Sequence, residues 1–513
     1  MFGRRSKTIS RVVLYLCIFS LTFAPYVQVV HALPRDGNVV AGGAQISTPT
    51  ATTMNVNQST DKAIINWQRY GIGANEAVRY LQPGASSIAL NRVVGLDPSQ
   101  IFGLLSANGQ VFVINPNGLL VGSGAKIDVG SFLASTMNIT NENFLVGNYT
   151  FTNPSSSLAS IVNQGTIIAR DGGYVALLSP SILNEGLIVA NLGKVHLASG
   201  EEAVLNFAGN DLINIAVSKG TLDAIGITNK GTITADGGAV TLTVKTASDA
   251  MKNVINNEGV IQAKSLVQKD GKIILDGGDT GIVVNSGTLD ASGLSSNLPL
   301  SQRGTQGDLK GGEVKMLGKY VGLFDAAKID ASGDAGGGEV LIGGDFQGKG
   351  PEANAYRTYV GKDATINADA ITSGDGGKVI VWADDATRFY GSISAKGGAL
   401  SGDGGFVEVS GKQYLVFKGL VNTTAANGEI GTLLLDPTNV TIDAVGPTTA
   451  TYTNAANTWA DNGANAAAST LLLSYHHLKF DQLLRAPYVI AAVPFHVLRL
   501  NPKSRGHYPG VNP

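Results

Sequence analysis

The side chains that could carry out chemistry are few and scattered along this chain. The single cysteine, Cys17, lies in an apolar N-terminal run, so a chain that loses this run has no thiol nucleophile. His196 is the one histidine between residues 33 and 470, and one imidazole cannot build a Ser–His–Asp set or a histidine-rich metal site. Because His196 alternates with Val195 and Leu197, we expect it to point away from a core, as an exposed strand histidine.

Two groups of acidic residues have an arrangement that could support catalysis. Asp276 and Asp279 flank a turn, and Asp384-Asp385 follows a strand end. Carboxylates placed in this way could bind calcium or act on a polysaccharide, but Asp is also common in turns because it can bond its own backbone. We therefore expect no enzyme activity, no catalytic residue and no metal or cofactor. A β-helical polysaccharide-degrading enzyme stays the alternative.

The first 32 residues have the pattern of a signal peptide. An apolar run, 12–23, follows four basic residues and is too short to span a membrane. Val30 and Ala32 occupy the −3 and −1 places of a small-residue cleavage site, which predicts cleavage after Ala32. Residues 33–470 hold 28 basic and 38 acidic residues. A chain with this excess of negative charge is not expected to bind nucleic acid.

One short motif, Asn-x-Gly-x-(Ile/Leu)-x-Ala, recurs in the middle of the chain. Its copies start at offsets of 21, 45, 28 and 28 residues, at Asn163–Ala169, Asn184–Ala190, Asn229–Ala235, Asn257–Ala263 and Asn285–Ala291. Asn tolerates the left-handed turn conformation, Gly supplies positive φ, and the apolar residues that follow point to one face. Stacked in register, such units would bury a continuous core and let the Asn side chains form a ladder.

This repeat predicts an all-β fold, a right-handed parallel β-helix with small elements outside the helix. A propeller would need longer and more regular blades, and a sandwich would not need the same turn in every unit. At about 20–25 residues per coil, residues 60–444 would form roughly 16–19 coils. Because open strand edges invite association, we expect a cap at the N-terminal end, within residues 38–62.

Residues 63–136 are less repetitive and contain a distinctive turn. Asn115-Pro116-Asn117-Gly118-Leu119 lies between two apolar strand segments, so Pro116 and Asn117 would form the corners and Gly118 would take positive φ. Asn91-Arg92 precedes this turn by one unit. Asp97-Pro98 predicts a short helical turn with Asp97 as its N-cap. Trp67 and Phe112 are expected in core or cap packing.

These segments closely resemble the N-terminal secretion domain of two-partner secretion exoproteins, the filamentous haemagglutinin family. The stretch is closest in style to the high-molecular-weight adhesin and haem-scavenging branches, and it lacks the earlier Asn-Pro-Asn-Leu motif of some members. The resemblance implies that a partner outer-membrane β-barrel transporter of a Gram-negative bacterium exports the chain in an extended state. It assigns transporter recognition to seven residues, namely Asn91, Arg92, Asn115, Pro116, Asn117, Gly118 and Leu119.

The expected organisation has five parts. Residues 1–32 form the signal peptide, 33–215 the secretion domain, 216–444 continuing β-helix repeats, 445–470 a linker and 471–513 an atypical tail. The tail holds four of the six His and only two of the 66 Gly, so it reads as a separate module or as out-of-frame sequence. The mature chain should be a monomeric rod, extracellular or on the cell surface. It would act in adhesion through a receptor that the sequence does not name. Haem-protein scavenging is a further alternative, as is toxin delivery, for which the tail is short.

Overall fold

A computed structural model of the chain describes most of the residues after the leader. These are residues 32–152, 159–200, 202–206, 214–219, 226–245, 254–266, 269–293 and 309–436, with short strands at 450–453, 458–461 and 470–473. The predicted signal peptide, apart from Ala32, lies outside the described residues, as does the predicted tail after residue 473. Within the described part, no helix is long and apolar enough to cross a membrane.

Three long sheets run along the rod, and most coils contribute one strand to each of them. Sheet 1 has 15 strands: Asn38–Ala41, Lys62–Trp67, Ile88–Val93, Gln110–Ile114, Ser131–Ser135, Tyr174–Leu178, Lys194–Ser199, Ala239–Val244, Lys272–Asp276, Glu313–Leu317, Glu339–Ile342, Lys378–Ala383, Phe406–Gly411, Thr432–Leu435 and Thr470–Leu473. Sheet 2 has 12 strands: Gly71–Ile72, Ser99–Ile101, Leu119–Val121, Ser160–Asn163, Ser181–Asn184, Gly226–Asn229, Val254–Asn257, Ile282–Asn285, Tyr320–Leu323, Arg357–Val360, Ala386–Phe389 and Tyr414–Phe417. Sheet 3 has 14 strands: Ala44–Thr50, Thr53–Gln58, Ala77–Leu81, Leu104–Ala107, Lys126–Val129, Thr166–Ala169, Leu187–Val189, Thr232–Thr234, Val260–Gln262, Thr288–Asp290, Lys328–Asp330, Thr365–Asn367, Ser392–Ser394 and Leu420–Asn422.

Pairing between successive coils is parallel and in register, which confirms the predicted parallel β-helix. In sheet 3, for example, Ile188 pairs with Ile233, and Ile233 pairs with Ile261. The side chains of such positions fill the interior as one continuous apolar core. Within the described residues, thirteen successive parallel strands of sheet 1 run from Lys62–Trp67 to Thr432–Leu435. They give fewer coils than expected, because segments such as 137–152 and 343–356 leave the helix between strands.

The predicted cap is confirmed at the N-terminal end. The strand Asn38–Ala41 pairs antiparallel with Lys62–Trp67, and Ala44–Thr50 forms an antiparallel hairpin with Thr53–Gln58. The second strand of the hairpin then pairs in parallel with Ala77–Leu81 and starts sheet 3. Antiparallel strands therefore cover the first edges of sheets 1 and 3.

A small module covers the outer face of sheet 1 near the cap. It contains the helix Asn141–Val146 and an antiparallel sheet of Tyr149–Thr152, Glu202–Asn206 and Asn214–Lys219. The helix begins at the N-cap Thr140 and ends at Gly147, which has a φ of 83°. Phe112, Phe144 and Tyr149 pack edge to face, with ring centroids 6.0–6.1 Å apart. We call the described residues 137–152, 202–206 and 214–219 the covering module.

The repeat asparagines form a ladder along sheet 2. The Nδ2 of Asn163 donates to the Oδ1 of Asn184, and the same bond continues through Asn229 and Asn257 to Asn285, each at 2.7 Å. All five side chains are fully buried. The Asn ladder expected from the repeat is therefore confirmed.

The repeat glycines do not have the predicted positive φ. Their role is close approach, because a Cβ at Gly186, Gly231 or Gly259 would lie 2.1 Å from the carbonyl oxygen of the glycine one coil earlier. The prediction of a left-handed Asn is also wrong, since these asparagines are the last residues of strands. Glycine is needed here because stacked corners bring two backbones into contact.

A loop of residues 343–356 covers sheet 1 near the far end and includes the 3-10 helix Phe346–Gly348. Beneath it, Glu408 is fully buried. Its Oε2 accepts the backbone N–H of Gln347 at 3.0 Å, and among the described residues its Oε1 has no hydrogen-bond partner. Burial, with a smaller contribution from the charge of Asp436, raises the pKa of Glu408 from 4.5 to about 7; the Gln347 N–H, Ser410 and Lys378 oppose this.

This pKa predicts how stability changes with pH. Because the folded state holds the Glu408 proton more tightly than the unfolded state, stability falls as the pH rises from 4.5 to about 7. We expect Glu408→Gln to remove this slope and to stabilise the protein by about 1–2 kcal/mol at pH 8. The measurement is thermal unfolding and hydrogen exchange of the loop at pH 5 and pH 8. The exposed Glu429→Gln is the control, and equal behaviour of both variants would contradict the prediction.

Candidate transporter-recognition site

The Asn115–Leu119 segment is a corner between two sheets, as its sequence predicts. It leaves sheet 1 after Gln110–Ile114 and enters sheet 2 with Leu119–Val121. Gly118 has a φ of 109°, and its N–H donates to the carbonyl oxygen of Asn115 at 3.1 Å. A residue with a Cβ would be strained at this φ, so the corner requires glycine.

The side chain of Asn115 fastens this corner to the preceding coil. It is fully buried. Its Nδ2 donates to the carbonyl oxygen of Asp97 at 2.9 Å and to the Oγ of Ser99 at 3.0 Å. Its Oδ1 accepts the backbone N–H of Asn117 at 2.9 Å. Because both amide hydrogens and the oxygen are used, removal of this side chain would leave buried polar groups without partners.

Asn117 forms the exposed part of the corner, beside the half-buried Pro116. Its Nδ2 donates to the carbonyl oxygen of Gly95 at 2.9 Å and to the Oδ1 of Asn115 at 3.1 Å. Leu119, by contrast, is only 3% exposed and belongs to the core. Pro116 and Asn117 are thus the members of this motif that solvent reaches in the folded domain.

Asn91 points into the interior of the β-helix. Its Oδ1 accepts the Nε1–H of Trp67 at 3.0 Å and the hydroxyl of Tyr80 at 2.6 Å. The Tyr80 hydroxyl lies 3.1 Å from that of Tyr70. Burial raises the pKa of both tyrosines well above the usual range, so both hydroxyls stay protonated at physiological pH. Asn91 therefore organises a buried polar network in the first coils, and the expected packing of Trp67 is confirmed.

Arg92, the next residue, points outward and holds the covering module. Its Nε donates to the Oδ1 of Asn138 at 3.0 Å, and its Nη1 donates to the Oδ1 of Asn141 at 2.7 Å. Its Nη2 donates to the carbonyl oxygen of Ile139 at 2.7 Å. The Nζ of Lys62 lies on the same face and donates to the carbonyl oxygens of Phe144 and Leu145, each at 2.9 Å. The partners of Arg92 were missed at the sequence level because no local pattern joins residues almost 50 positions apart.

The structure brings all seven predicted residues into two successive coils. Arg92 pairs in register with Ile114, the residue directly before Asn115. The motifs nevertheless face three directions: Asn91 inward, Arg92 towards the covering module, and Pro116 with Asn117 towards solvent. Ala32, the residue before the predicted cleavage point, lies at the first coil, where its backbone N–H donates to Glu76.

Two predictions near the site are wrong. Residues 97–98 form a bend rather than a helical turn, and Ser99–Ile101 is a strand, because the N–H of Ser99 bonds to the carbonyl oxygen of Gly118 at 3.0 Å. His196 is 5% exposed rather than on the surface. It does point away from the core, but the strand that carries it, Lys194–Ser199, lies partly beneath the covering module, where Ala198 packs with Ala203 and Leu205.

Three of the four acidic residues considered for catalysis have structural contacts. The Oδ1 of Asp276 accepts the backbone N–H of Gly278 at 2.8 Å, and burial raises the pKa of this carboxyl. Asp384 accepts the Nε1–H of Trp382 at 3.2 Å. Asp385 pairs with Arg357 at 2.6 Å. These contacts explain each acid as part of a turn or strand end.

A capped β-helix with a corner of this kind, joined to a covering module, defines an N-terminal secretion domain of the exoprotein class. The sequence model of the TPS secretion domain matches residues 32–291, which is just over half of the chain. The protein belongs to the TPS secretion domain family, the two-partner secretion exoproteins. Its partner is an outer-membrane transporter, and the chain is secreted across the outer membrane.

Solved and curated relatives agree with this assignment. The crystal structure of the HMW1 secretion domain from Haemophilus influenzae is 33% identical, has a TM-score of 0.66, and covers 78% of this chain and 100% of its own. A heme/hemopexin-binding protein of H. influenzae strain Rd is 29% identical over 367 residues, which are 70% of this chain and 38% of the relative. A second heme/hemopexin-binding protein of that species is 31% identical over 263 residues, 47% of this chain and 28% of the relative. The chain thus spans about two fifths or less of these curated relatives.

The family match extends beyond the predicted end of the secretion domain at residue 215 and stops at the last Asn-x-Gly repeat. The division of the chain into domains stays a prediction, as does the linker. The structure places an antiparallel pair, Ala450–Thr453 and Thr458–Asp461, within that predicted linker.

Proposed function

We propose that this exported chain binds a haem-carrying extracellular protein. The observation that supports this is the length of the alignment with the heme/hemopexin-binding protein of strain Rd. It covers 367 residues, whereas the secretion-domain model covers residues 32–291. The likeness therefore includes about 100 residues outside the part that the secretion-domain model matches.

The outer surface of the later coils favours a protein as the ligand. Six aromatic residues lie along sheet 2 or at its edge, and we call them the aromatic face: Tyr320, Phe324, Tyr356, Tyr359, Tyr390 and Tyr414. Phe324 stacks on Tyr359 with centroids 5.0 Å apart, while Tyr356 and Tyr414 are 43% and 61% exposed. Aromatic residues of this kind are enriched in protein interfaces. His196, the histidine within the described ranges, is buried, so we propose contact with the carrier protein rather than ligation of its haem.

Binding to immobilised haem-loaded hemopexin tests this proposal. We expect Tyr356→Ala with Tyr414→Ala to weaken binding by about tenfold or more, because exposed aromatic anchors supply much of an interface's energy. Leu81→Ala is the matched control, since Leu81 is 52% exposed on a secretion-domain strand of sheet 3. Equal affinity of the wild-type protein, the double variant and Leu81→Ala for hemopexin would contradict the assignment to the aromatic face.

Each alternative predicts a different result when the same purified protein is assayed in other ways. Attachment of the purified protein to host cells, without binding to hemopexin, would favour adhesion, which stays a prediction. Binding of free haem alone would favour a direct haem site. Release of reducing sugar from a polysaccharide would favour the enzyme alternative, which the structural contacts of Asp276, Asp384 and Asp385 do not support.

A further inference from the structure

Glu76 is a buried carboxylate at the first coil. It is only 5% exposed. Its two oxygens lie 3.0 and 3.1 Å from the backbone nitrogen of Ala32, and its Oε2 also accepts the N–H of Gly73 at 2.7 Å. A buried carboxylate is stabilised more by an ammonium group than by a backbone amide at the same place.

The residues directly after Ala32 are held in place by the fold. Leu33 is 8% exposed and belongs to the main core. The N–H of Arg35 donates to the carbonyl oxygen of Arg69 at 2.9 Å, and the N–H of Gln68 donates to the carbonyl oxygen of Arg35 at 3.2 Å. These contacts do not involve the leader, so residues 33–35 should keep their position after the leader is removed.

We propose that Glu76 is the binding site for the α-ammonium group of the mature N-terminus. Hydrolysis of the Ala32–Leu33 amide by a signal peptidase adds water across this bond. The departing Ala32 gains a carboxylate, and the nitrogen of Leu33 becomes an ammonium group. Consecutive backbone nitrogens are about 3 Å apart, so the new cation forms next to the place that the Ala32 nitrogen occupies beside Glu76.

The ion pair would couple processing to completion of the cap. In an unprocessed chain the Ala32 amide lies beside Glu76, whereas a chain cut after Ala32 places a full positive charge there. The charged contact would join the start of the mature chain to Glu76, which also binds the N–H of Gly73. Glu76 directly precedes the strand Ala77–Leu81, which pairs with the cap hairpin. Signal-peptide removal would therefore stabilise the cap and first coil of the domain.

The pKa of the Leu33 α-amine tests this proposal. We would export the full chain, confirm Leu33 as its first residue by N-terminal sequencing, and label the amine by reductive methylation with ¹³C-formaldehyde. NMR titration should give an α-amine pKa about one unit or more above its ordinary value near 8. The shift should disappear in Glu76→Gln, while the exposed Glu142→Gln should retain it.

A second variant keeps the test independent of the folding of Glu76→Gln. A Gly-Ser-Gly-Ser extension before Leu33 leaves every side chain unchanged but moves the charge away from Glu76. We expect a lower melting temperature than for the chain starting at Leu33. An ordinary α-amine pKa in the wild-type protein, a different mature N-terminus, or an unchanged melting temperature of the extended chain would each overturn the proposal.

Discussion

Replacement of Asn229 by leucine should lower the free energy of unfolding by about 4 kcal/mol, the largest loss that we expect from one side chain of the coils. Asn229 accepts a hydrogen bond from Asn184 and donates one to Asn257, each at 2.7 Å, and all three are fully buried. Leucine would remove both bonds. It would leave the Nδ2 of Asn184 and the Oδ1 of Asn257 without these partners in a site that excludes water.

Hydrogen exchange resolved by segment is the suitable measurement, because a long repeat array need not unfold in one step. Protection should fall in the strands Ser181–Asn184, Gly226–Asn229 and Val254–Asn257. The matched control is Asn256→Ala, since Asn256 is the neighbouring strand residue and bonds to the exposed Glu258. Equal protection in the two variants would show that the ladder contributes nothing beyond a surface hydrogen bond.

Most of the architecture could be predicted because the repeat encodes it locally. The spacing of Asn229, Asn257 and Asn285 requires one coil per repeat, and the period-2 pattern between them determines which side chains face inward. The corner at Asn115–Leu119 was predictable for the same reason, since proline, asparagine and glycine each specify their own place in a tight turn. Such features depend only on residues adjacent in the chain.

The parts that could not be predicted depend on contacts between distant segments. His196 is buried because strands from two separate parts of the chain, Tyr149–Thr152 and Glu202–Asn206, pair antiparallel and cover sheet 1. The role of the repeat glycines was misread because close approach between coils leaves the same sequence signal as a positive φ. Arg92 likewise gave no sign of its partners Asn138 and Asn141.

The folded site limits how a transporter could use the motif. In the folded domain the side chain of Asn115 is buried in the corner. In an extended chain the same side chain is accessible. If the chain crosses the membrane extended, Asn115 can act twice, first as a recognition residue and then as the side chain that closes the corner outside the cell. Asn117 is exposed in both states, so its contribution should not depend on folding.

We therefore expect Asn115→Ala with Asn117→Ala to reduce the secreted amount by about tenfold or more in cells that express the partner transporter, because each lost polar contact costs roughly 1–3 kcal/mol. The measurement is the ratio of protein in the medium to protein in the periplasm. Without the transporter, both the wild-type chain and the variant should stay in the periplasm.

The control must separate recognition from folding, and the Asn ladder provides one. Asn163→Ala removes a buried asparagine of the same secretion domain, whose side chain donates to Asn184 at 2.7 Å, so it carries a comparable folding cost outside the motif. If secretion falls equally in both variants, the motif acts only through folding, and transporter recognition by Asn115 and Asn117 is wrong. If Asn163→Ala is secreted and the double variant is not, the loss arises before folding. The single variant Asn117→Ala, which keeps the buried bonds of Asn115 to Asp97 and Ser99, then shows how much of the recognition lies in the exposed corner.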